Sequence, residues 1–406
     1  MKANPFVVKG RIQYSREAVL QKYSITATLA LVLLLVLFVP LAYSRTISEV
    51  PDVANDVVTP VGPIFHDSLL RGIELVFNDQ LEKSLAIFHQ LQQTYPDHPA
   101  PHFFQAAAYQ SWMSNFRLNR YQKELQENIQ LTISKGNKLL KHNEDPWSHF
   151  YVGAAYGYRA LNRFQKHDWI GAYIDGKRGI KSLSKALDKE PNLFDVYLGL
   201  GLYHYWRTAR SPFIQLIAFW IPDKRELGLR QLEFVIDHGL YAPNQASYAL
   251  VVSYFDYGQY EKAMRIYDGT IGEKRTLTCT DLYYKGRLLI KFKKWAKVET
   301  LFKIISQQLE ESAFVSVGYQ VECKYWTAFA LFRQNKLSKA LEFVKDAKAQ
   351  SGKRNPDLEG EGPFESFKEI KKRLGRLSEI ITVQNVKEKA SQEELIAKKI
   401  KKTEHY

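Results

Sequence analysis

His102-Phe-Phe-Gln-Ala-Ala-Ala-Tyr109 recurs as His149-Phe-Tyr-Val-Gly-Ala-Ala-Tyr156, and again as Val196-Tyr-Leu-Gly-Leu-Gly-Leu-Tyr203. The steps from Phe103 to Phe150 and from Phe150 to Tyr197 are both 47 residues. Six aromatic residues (Phe103, Phe150, Tyr197, Tyr248, Tyr283 and Tyr325) form a ladder. Each stands six residues before a second marker: Tyr109, Tyr156, Tyr203, Tyr254, Leu289 and Leu331. Self-similarity at a period of a few tens of residues predicts a solenoid, in which each helical unit buries its apolar face on its neighbours.

Working outward, Gly72, Ser84, Phe88 and Pro96 mark a first helical hairpin. Asn78-Asp-Gln-Leu-Glu-Lys-Ser-Leu-Ala-Ile-Phe88 supplies its turn and second helix. Tyr257-Gly-Gln-Tyr-Glu-Lys-Ala-Met-Arg-Ile-Tyr267 and Asn335-Lys-Leu-Ser-Lys-Ala-Leu-Glu-Phe343 repeat that text, with Ala263 and Ala340 at the small position; Gly286, Val298 and Phe302 mark a weaker copy. Over residues 64–350 the chain resembles the tetratricopeptide repeat (TPR) family. There, small residues let paired helices approach, aromatics fill the space between hairpins, and proline ends the second helix. The resemblance implies an all-α, right-handed superhelix of about seven hairpins. The middle repeats exceed the family's length of about 34 residues. Gly153 pairs with Gly179, so the central hairpins are expected to be long.

Pro212-Phe-Ile-Gln-Leu-Ile-Ala-Phe-Trp-Ile-Pro222 interrupts the array. Either it packs on the solenoid or it touches a membrane or partner. The flanking Gly199-Leu-Gly-Leu-Tyr203 and Asp223-Lys-Arg-Glu-Leu-Gly-Leu-Arg-Gln-Leu232 resemble a TPR subgroup of exported bacterial proteins and the yeast inclusion-body clearance family. Lys224 interrupts that subgroup's glycine-aspartate-arginine order.

Ahead of the array, residues 1–24 form a basic arm with Lys2, Lys9, Arg11, Arg16 and Lys22 against Glu17 alone. Residues 25–43 then run uncharged for 19 residues. As a helix this segment would be roughly 28 Å long, enough to cross a bilayer. The basic arm places the N-terminus in the cytoplasm and everything after the segment across the membrane. The competing reading is a cleaved signal, supported by Pro40 and by the small residues Ala42 and Ser44. Residues 45–62, with Pro51 and Pro60, read as a linker. Behind the array, residues 351–363 read as a loop, 364–381 as a capping helix with Phe367, Ile370, Leu374 and Leu377 on one face, and 382–406 as a charged polar tail.

The 406 residues carry a net charge of +14 and 13% aromatics. This describes a globular chain with room for a large core. The basic excess selects no partner by itself, and no basic-aromatic cassette of an RNA-binding module is present, so nucleic acid is not expected. The two cysteines, Cys279 and Cys323, form no disulfide framework or zinc site. They begin consecutive repeats, so a bridge and a pair of buried thiols both stay open. His98 and His102 are four apart, but Pro99 and Pro101 oppose a regular helix between them. His149 and His204 lie on apolar helices and read as core or groove residues. No nucleophile elbow, phosphate loop or paired-histidine helix is found. Catalysis, metal and cofactor are not expected.

The resemblance places the ladder on the concave face, where TPR proteins hold peptides. The expected groove comprises Phe103, Phe150, Tyr197, Tyr248, Tyr283 and Tyr325, with Tyr158, Tyr205, Arg287, Phe329 and Arg333 a helical turn on. Large amphipathic rings suit such a site, and Arg287 and Arg333 would meet acidic groups of the ligand. The competing use of the rings is packing between helices. The expected function is a single-pass scaffold of the bacterial inner membrane, its repeats periplasmic, binding a protein or peptide partner. The alternatives are a soluble exported binding protein and an organelle protein of the inclusion-body clearance kind.

Overall fold

The computed structural model describes residue 59 and residues 61–166, 168–209 and 223–403. The expectations for the basic arm, the apolar segment 25–43 and the insert 212–222 lie outside the described residues. Among the described residues there are 15 α-helices and no strand; an isolated bridge joins Leu118 and Glu359. The helices are α1 (Pro63–Phe77), α2 (Leu81–Thr94), α3 (Ala100–Phe116), α4 (Gln122–Leu139), α5 (Pro146–Gln165), α6 (Trp169–Lys189), α7 (Val196–Thr208) and α8 (Arg225–His238). They continue as α9 (Pro243–Asp256), α10 (Tyr260–Gly269), α11 (Cys279–Lys291), α12 (Trp295–Glu311), α13 (Val317–Arg333), α14 (Leu337–Ser351) and α15 (Phe367–Thr403). Each helix packs chiefly on its neighbours in sequence. They group into seven hairpins, α1/α2 to α13/α14, capped by α15.

Local chemistry sets the helix starts. Pro63, Pro146 and Pro243 open α1, α5 and α9, where their missing N–H costs nothing. Asp145 accepts from Ser148 N–H at 2.6 Å and Asp168 from Gly171 N–H at 2.9 Å. Thr278 and Asp281 form a reciprocal capping box at α11. The small residues sit at crossings, as the repeat text predicts. A Cβ on Gly286 would meet the Phe302 ring at 2.8 Å, and Ala263 and Ala340 are fully buried. In the long central hairpin, α5 and α6 have 20 and 21 residues. They cross with Gly153 against Gly179, where either Cβ would lie 3.0 Å or less from the other's carbonyl oxygen.

The C-terminal cap differs from its expected bounds. Of the expected face, Ile370, Leu374 and Leu377 are buried and Phe367 is half-buried; Ile381 is buried too, and the helix runs on to Thr403. Val383 and Val386 in that extension are exposed.

The array also closes on itself. A linear solenoid has contacts only between adjacent repeats. Here the end of α3 in the second hairpin meets the sixth and seventh: Trp112 is edge-on to Phe314 at 4.7 Å, Thr278 donates to Asn115 at 3.2 Å, and Asn119 N–H donates to the Leu358 carbonyl at 2.9 Å. At the end of α1, Phe77 packs on Tyr248 at 5.8 Å under the Lys274 ammonium. The concave side is therefore an interior, and this decides what the ladder can do.

Candidate functional site

The structure divides the eleven expected groove residues into three sets. The first set is packed. Tyr197 is 4% exposed, edge-on to Phe234, and Tyr283 is 1% exposed, donating to Glu322 Oε1 at 2.6 Å. Tyr205 is fully buried and donates to the Ser253 carbonyl at 2.7 Å and Asp256 Oδ2 at 2.9 Å. Tyr325 is buried among Trp326 and Phe329. Tyr248 is half-buried, its hydroxyl bound to Asp281 Oδ1 at 2.7 Å. The expectation that central rings stand partly exposed is thus corrected for Tyr197 and Tyr283. Tyr197 is core within its own hairpin, packed on Phe234 of α8, whereas Tyr283 is covered by Arg117 from the second hairpin where the array closes.

The second set is at the C-terminal end. Phe329 lies half-buried against Trp295, and Arg333 is exposed with its guanidinium 4.9 Å from the Trp295 ring centre. Arg287 does meet acids, but they belong to its own chain. Its guanidinium makes a two-pronged pair with Glu365 and lies 3.5 Å from Glu322.

The third set lines a cavity of about 500 Å³ inside the N-terminal half. Phe103, Phe150 and Tyr158 stand on its wall. Phe103 is 6.0 Å from Phe150 and 5.9 Å from Tyr158 between ring centres. Ile73 and Val76 of α1, Ile180 and Leu183 of α6, Leu198 and Leu202 of α7 and Ala249 of α9 complete the apolar lining. Of the polar groups in the lining, Asp195 is already committed: it accepts from the N–H groups of Leu240, Tyr241 and Ala242 at 2.7–3.0 Å. Burial raises its pKa and those three bonds oppose the rise. Gly157 opens the wall, with nothing within 4 Å of an added Cβ. Gln245, also in the lining, keeps a buried Oε1 without a hydrogen-bond partner. The cavity can take apolar side chains and offers one free acceptor, but no unpaired charge.

A second feature went unnoticed in the sequence. Arg117, the left-handed cap of α3 (φ 51°), reaches across to the seventh hairpin. Its Nη1 donates to Glu322 Oε2 at 2.6 Å, and its guanidinium lies 3.6 Å from the Tyr319 ring centre and 4.5 Å from that of Tyr283. Trp326 Nε1 also donates to Glu322, at 3.1 Å. Arg117, Arg287 and Glu322 are all at least 94% buried. No spacing rule joins residues 205 positions apart, so only their burial and pairing reveal the cluster.

The histidines have structural surroundings. His98 Nδ1 accepts from Ala100 N–H at 3.2 Å, which requires a neutral acceptor nitrogen; burial lowers its pKa to about 4. His102 pairs with Asn128 at 3.2 Å and His204 with Gln231 at 2.7 Å. Both cysteines are free thiols. Burial pushes Cys279 up to about 12, so it is a poor nucleophile at neutral pH. Among the described residues, no three His, Cys, Asp or Glu side chains gather as a metal site.

The class defined by this fold is an all-α solenoid of TPR-like hairpins whose interior holds an apolar cavity in its N-terminal half and a buried ion-pair cluster in its C-terminal half. No family model and no curated protein matches the sequence. Among solved structures, the chain is similar to yeast Tom70 at 12% identity and a TM-score of 0.37, over 88% of this chain and 70% of that one. It is also similar to the P58(IPK) TPR domain at 13% identity and a TM-score of 0.24, over 78% and 98%. At these scores neither likeness carries an argument, and the fold class rests on the hairpins themselves. Among the described residues no helix is long and apolar enough to cross a membrane.

Proposed function

We propose that this chain is a non-enzymatic scaffold, a right-handed superhelix tethered to a membrane through residues 25–43, which holds an apolar segment of a protein partner in its interior cavity. The observation that carries the reading is the position of Phe103, Phe150 and Tyr158 on the wall of that cavity. Rigid aromatic anchors in a desolvated pocket are where binding energy concentrates. Apart from Asp195 and Gln245 the lining is predominantly apolar, which favours leucine-like or aromatic side chains over a charged peptide.

The test is to fill the space. Gly157 belongs to the lining but is itself exposed, and an added Cβ meets nothing within 4 Å, so Gly157→Trp offers a large ring to the open side of the cavity. The expected result is an unchanged fold by circular dichroism and at least tenfold weaker binding of the partner. The partner is first identified by a photo-crosslinking residue at Ala154, which lines the same wall. Unchanged binding by a folded Gly157→Trp chain rejects the cavity as the site.

Topology has its own check. The basic arm ahead of residues 25–43 supports an N-terminus in the cytoplasm and repeats outside it, in a bacterial inner membrane. A reporter active only outside the cytoplasm, fused after Ser111, should be active. A stable but silent fusion reverses the orientation. Mass spectrometry of the mature N-terminus should find the arm retained, whereas a start near Arg45 means signal cleavage.

A further inference from the structure

The C-terminal interior already holds an occupant. Residues 359–366, Glu-Gly-Glu-Gly-Pro-Phe-Glu-Ser, cross it between α14 and α15. Three contacts seat this strap. Glu359 accepts from Gly318 N–H at 2.6 Å, at the start of α13. The Phe364 ring lies 4.4 Å from Phe255 and stacks on Tyr283 at 6.0 Å. Glu365 takes Arg287 from below and Arg373 Nη1 at 3.1 Å. The strap covers Tyr283 and Arg287, two of the residues that the sequence marks as groove.

The seat has more donors than the strap uses. Arg117 Nη2 and Arg287 Nε are buried and have no hydrogen-bond partner. Both belong to guanidiniums at least 94% buried. A buried N–H without an acceptor is costly, so two of them in one buried, charged chamber mark a place built to receive further acceptor oxygens. The strap itself, unlike the helices around it, is an irregular stretch with glycines at 360 and 362 and proline at 363. Of its residues only Glu359 is fully buried.

We infer that residues 359–366 are a self-ligand occupying a second docking site, and that a partner segment of the same chemistry, extended, acidic and bearing a phenylalanine, binds there by displacing them. The site is separate from the apolar cavity of the N-terminal half and stands or falls independently of it. Charge and shape both select the occupant. Two arginines, Arg287 and Arg373, face one carboxylate, and the aromatic pocket of Phe255, Tyr283 and Tyr284 takes one ring. Displacement is an exchange of like for like, so it needs no new charge to be buried. The partner gains by reaching the two spare donors.

The experiment uses the full-length chain and a fluorescein-labelled synthetic peptide with the sequence of residues 355–368. Fluorescence anisotropy compares the native chain with the Phe364→Ala/Glu365→Ala variant, whose own strap is weakened. The expected result is at least tenfold tighter peptide binding by the variant. A peptide whose Glu365 equivalent is glutamine should lose at least tenfold. Equal affinity for the two chains, or indifference to the glutamine, overturns the proposal. If the variant melts too low to be used, hydrogen exchange on the native chain decides instead. The Gly360 amide, held by the Arg117 carbonyl at 2.8 Å, should exchange at least a hundredfold faster than the amides at the centre of α13. Equal protection means that the strap opens only when the protein unfolds, and the proposal fails.

Discussion

Replacing Glu322 by alanine should be among the most damaging single changes in this chain, costing roughly 3–5 kcal/mol of stability. Glu322 is 2% exposed and takes hydrogen bonds from Arg117, Tyr283 and Trp326, with Arg287 3.5 Å away. Its removal leaves two buried guanidiniums near a truncated side chain, and one of them, Arg117, then has no acid. An unpaired buried charge costs far more than the net worth of the pair that it came from. The damage should also be of a particular kind. Arg117 belongs to the second hairpin and Glu322 to the seventh, so their bond ties together parts that a linear solenoid leaves uncoupled. Chemical denaturation of Glu322→Ala should therefore separate into two transitions where the native chain shows one. Arg333→Ala is the control, an exposed arginine at the other end of α13 that should change stability by about 0.5 kcal/mol at most. A single transition for Glu322→Ala with a loss as small as that of Arg333→Ala would mean that the closing contact contributes nothing.

That contact also shows where reading the sequence stops. The hairpins were legible because a repeat states its own rule several times. Gly153 opposite Gly179, Ala263 and Ala340 recur in register, and each lies at a buried crossing of its hairpin. Curvature is different. It accumulates from small rotations between hairpins, and no single residue encodes it. Whether Tyr283 faces a groove or a core depends on how far the array has turned by the time Arg117 meets it. The residues that record the meeting, Arg117 and Glu322, sit in unremarkable local text. Arg117 reads as a loop residue after an apolar helix. Glu322 is one acid in Val321-Glu-Cys-Lys324 on a helix buried nearly all round. Residues 359–363 of the strap are legible as loop, since Gly360, Gly362 and Pro363 are turn residues, but the sequence places Phe364, Glu365 and Ser366 in the capping helix, which starts only at Phe367. The strap's acids have no periodicity, so nothing local said that they point at arginines. The cavity itself was not legible in the sequence: Phe103, Phe150 and Tyr158 are expected on a groove and stand on the cavity wall, and the other apolar walls come from α1, α6, α7 and α9.

The glycines permit the sharpest test of the packing itself, because the same substitution should have opposite effects at different crossings. A Cβ on Gly228 in α8 would lie 2.6 Å from both the Gly201 carbonyl oxygen and the Tyr205 amide nitrogen of α7. Both atoms are backbone, so no side chain can rotate away and the two helices must separate. At Gly201 the nearest atom to the added carbon is the Gly228 oxygen at 3.0 Å, a milder conflict. At Gly157 there is nothing within 4 Å. Gly228→Ala should cost at least about 3 kcal/mol, the upper part of the range for overpacking. Gly201→Ala should cost about 1–2 kcal/mol by the same mechanism. Gly157→Ala should gain up to about 1 kcal/mol, because alanine is the better helix former and meets no obstacle. The measurement is the denaturation midpoint of the three variants beside the native chain. The ranking matters more than any one value: helix propensity favours alanine equally at all three positions, so only the crossing geometry can separate them. If Gly228→Ala is as stable as Gly157→Ala, then α7 and α8 are not packed backbone to backbone. The seat of Tyr205 between them, and the wall that α7 gives to the cavity, would then have to be redrawn.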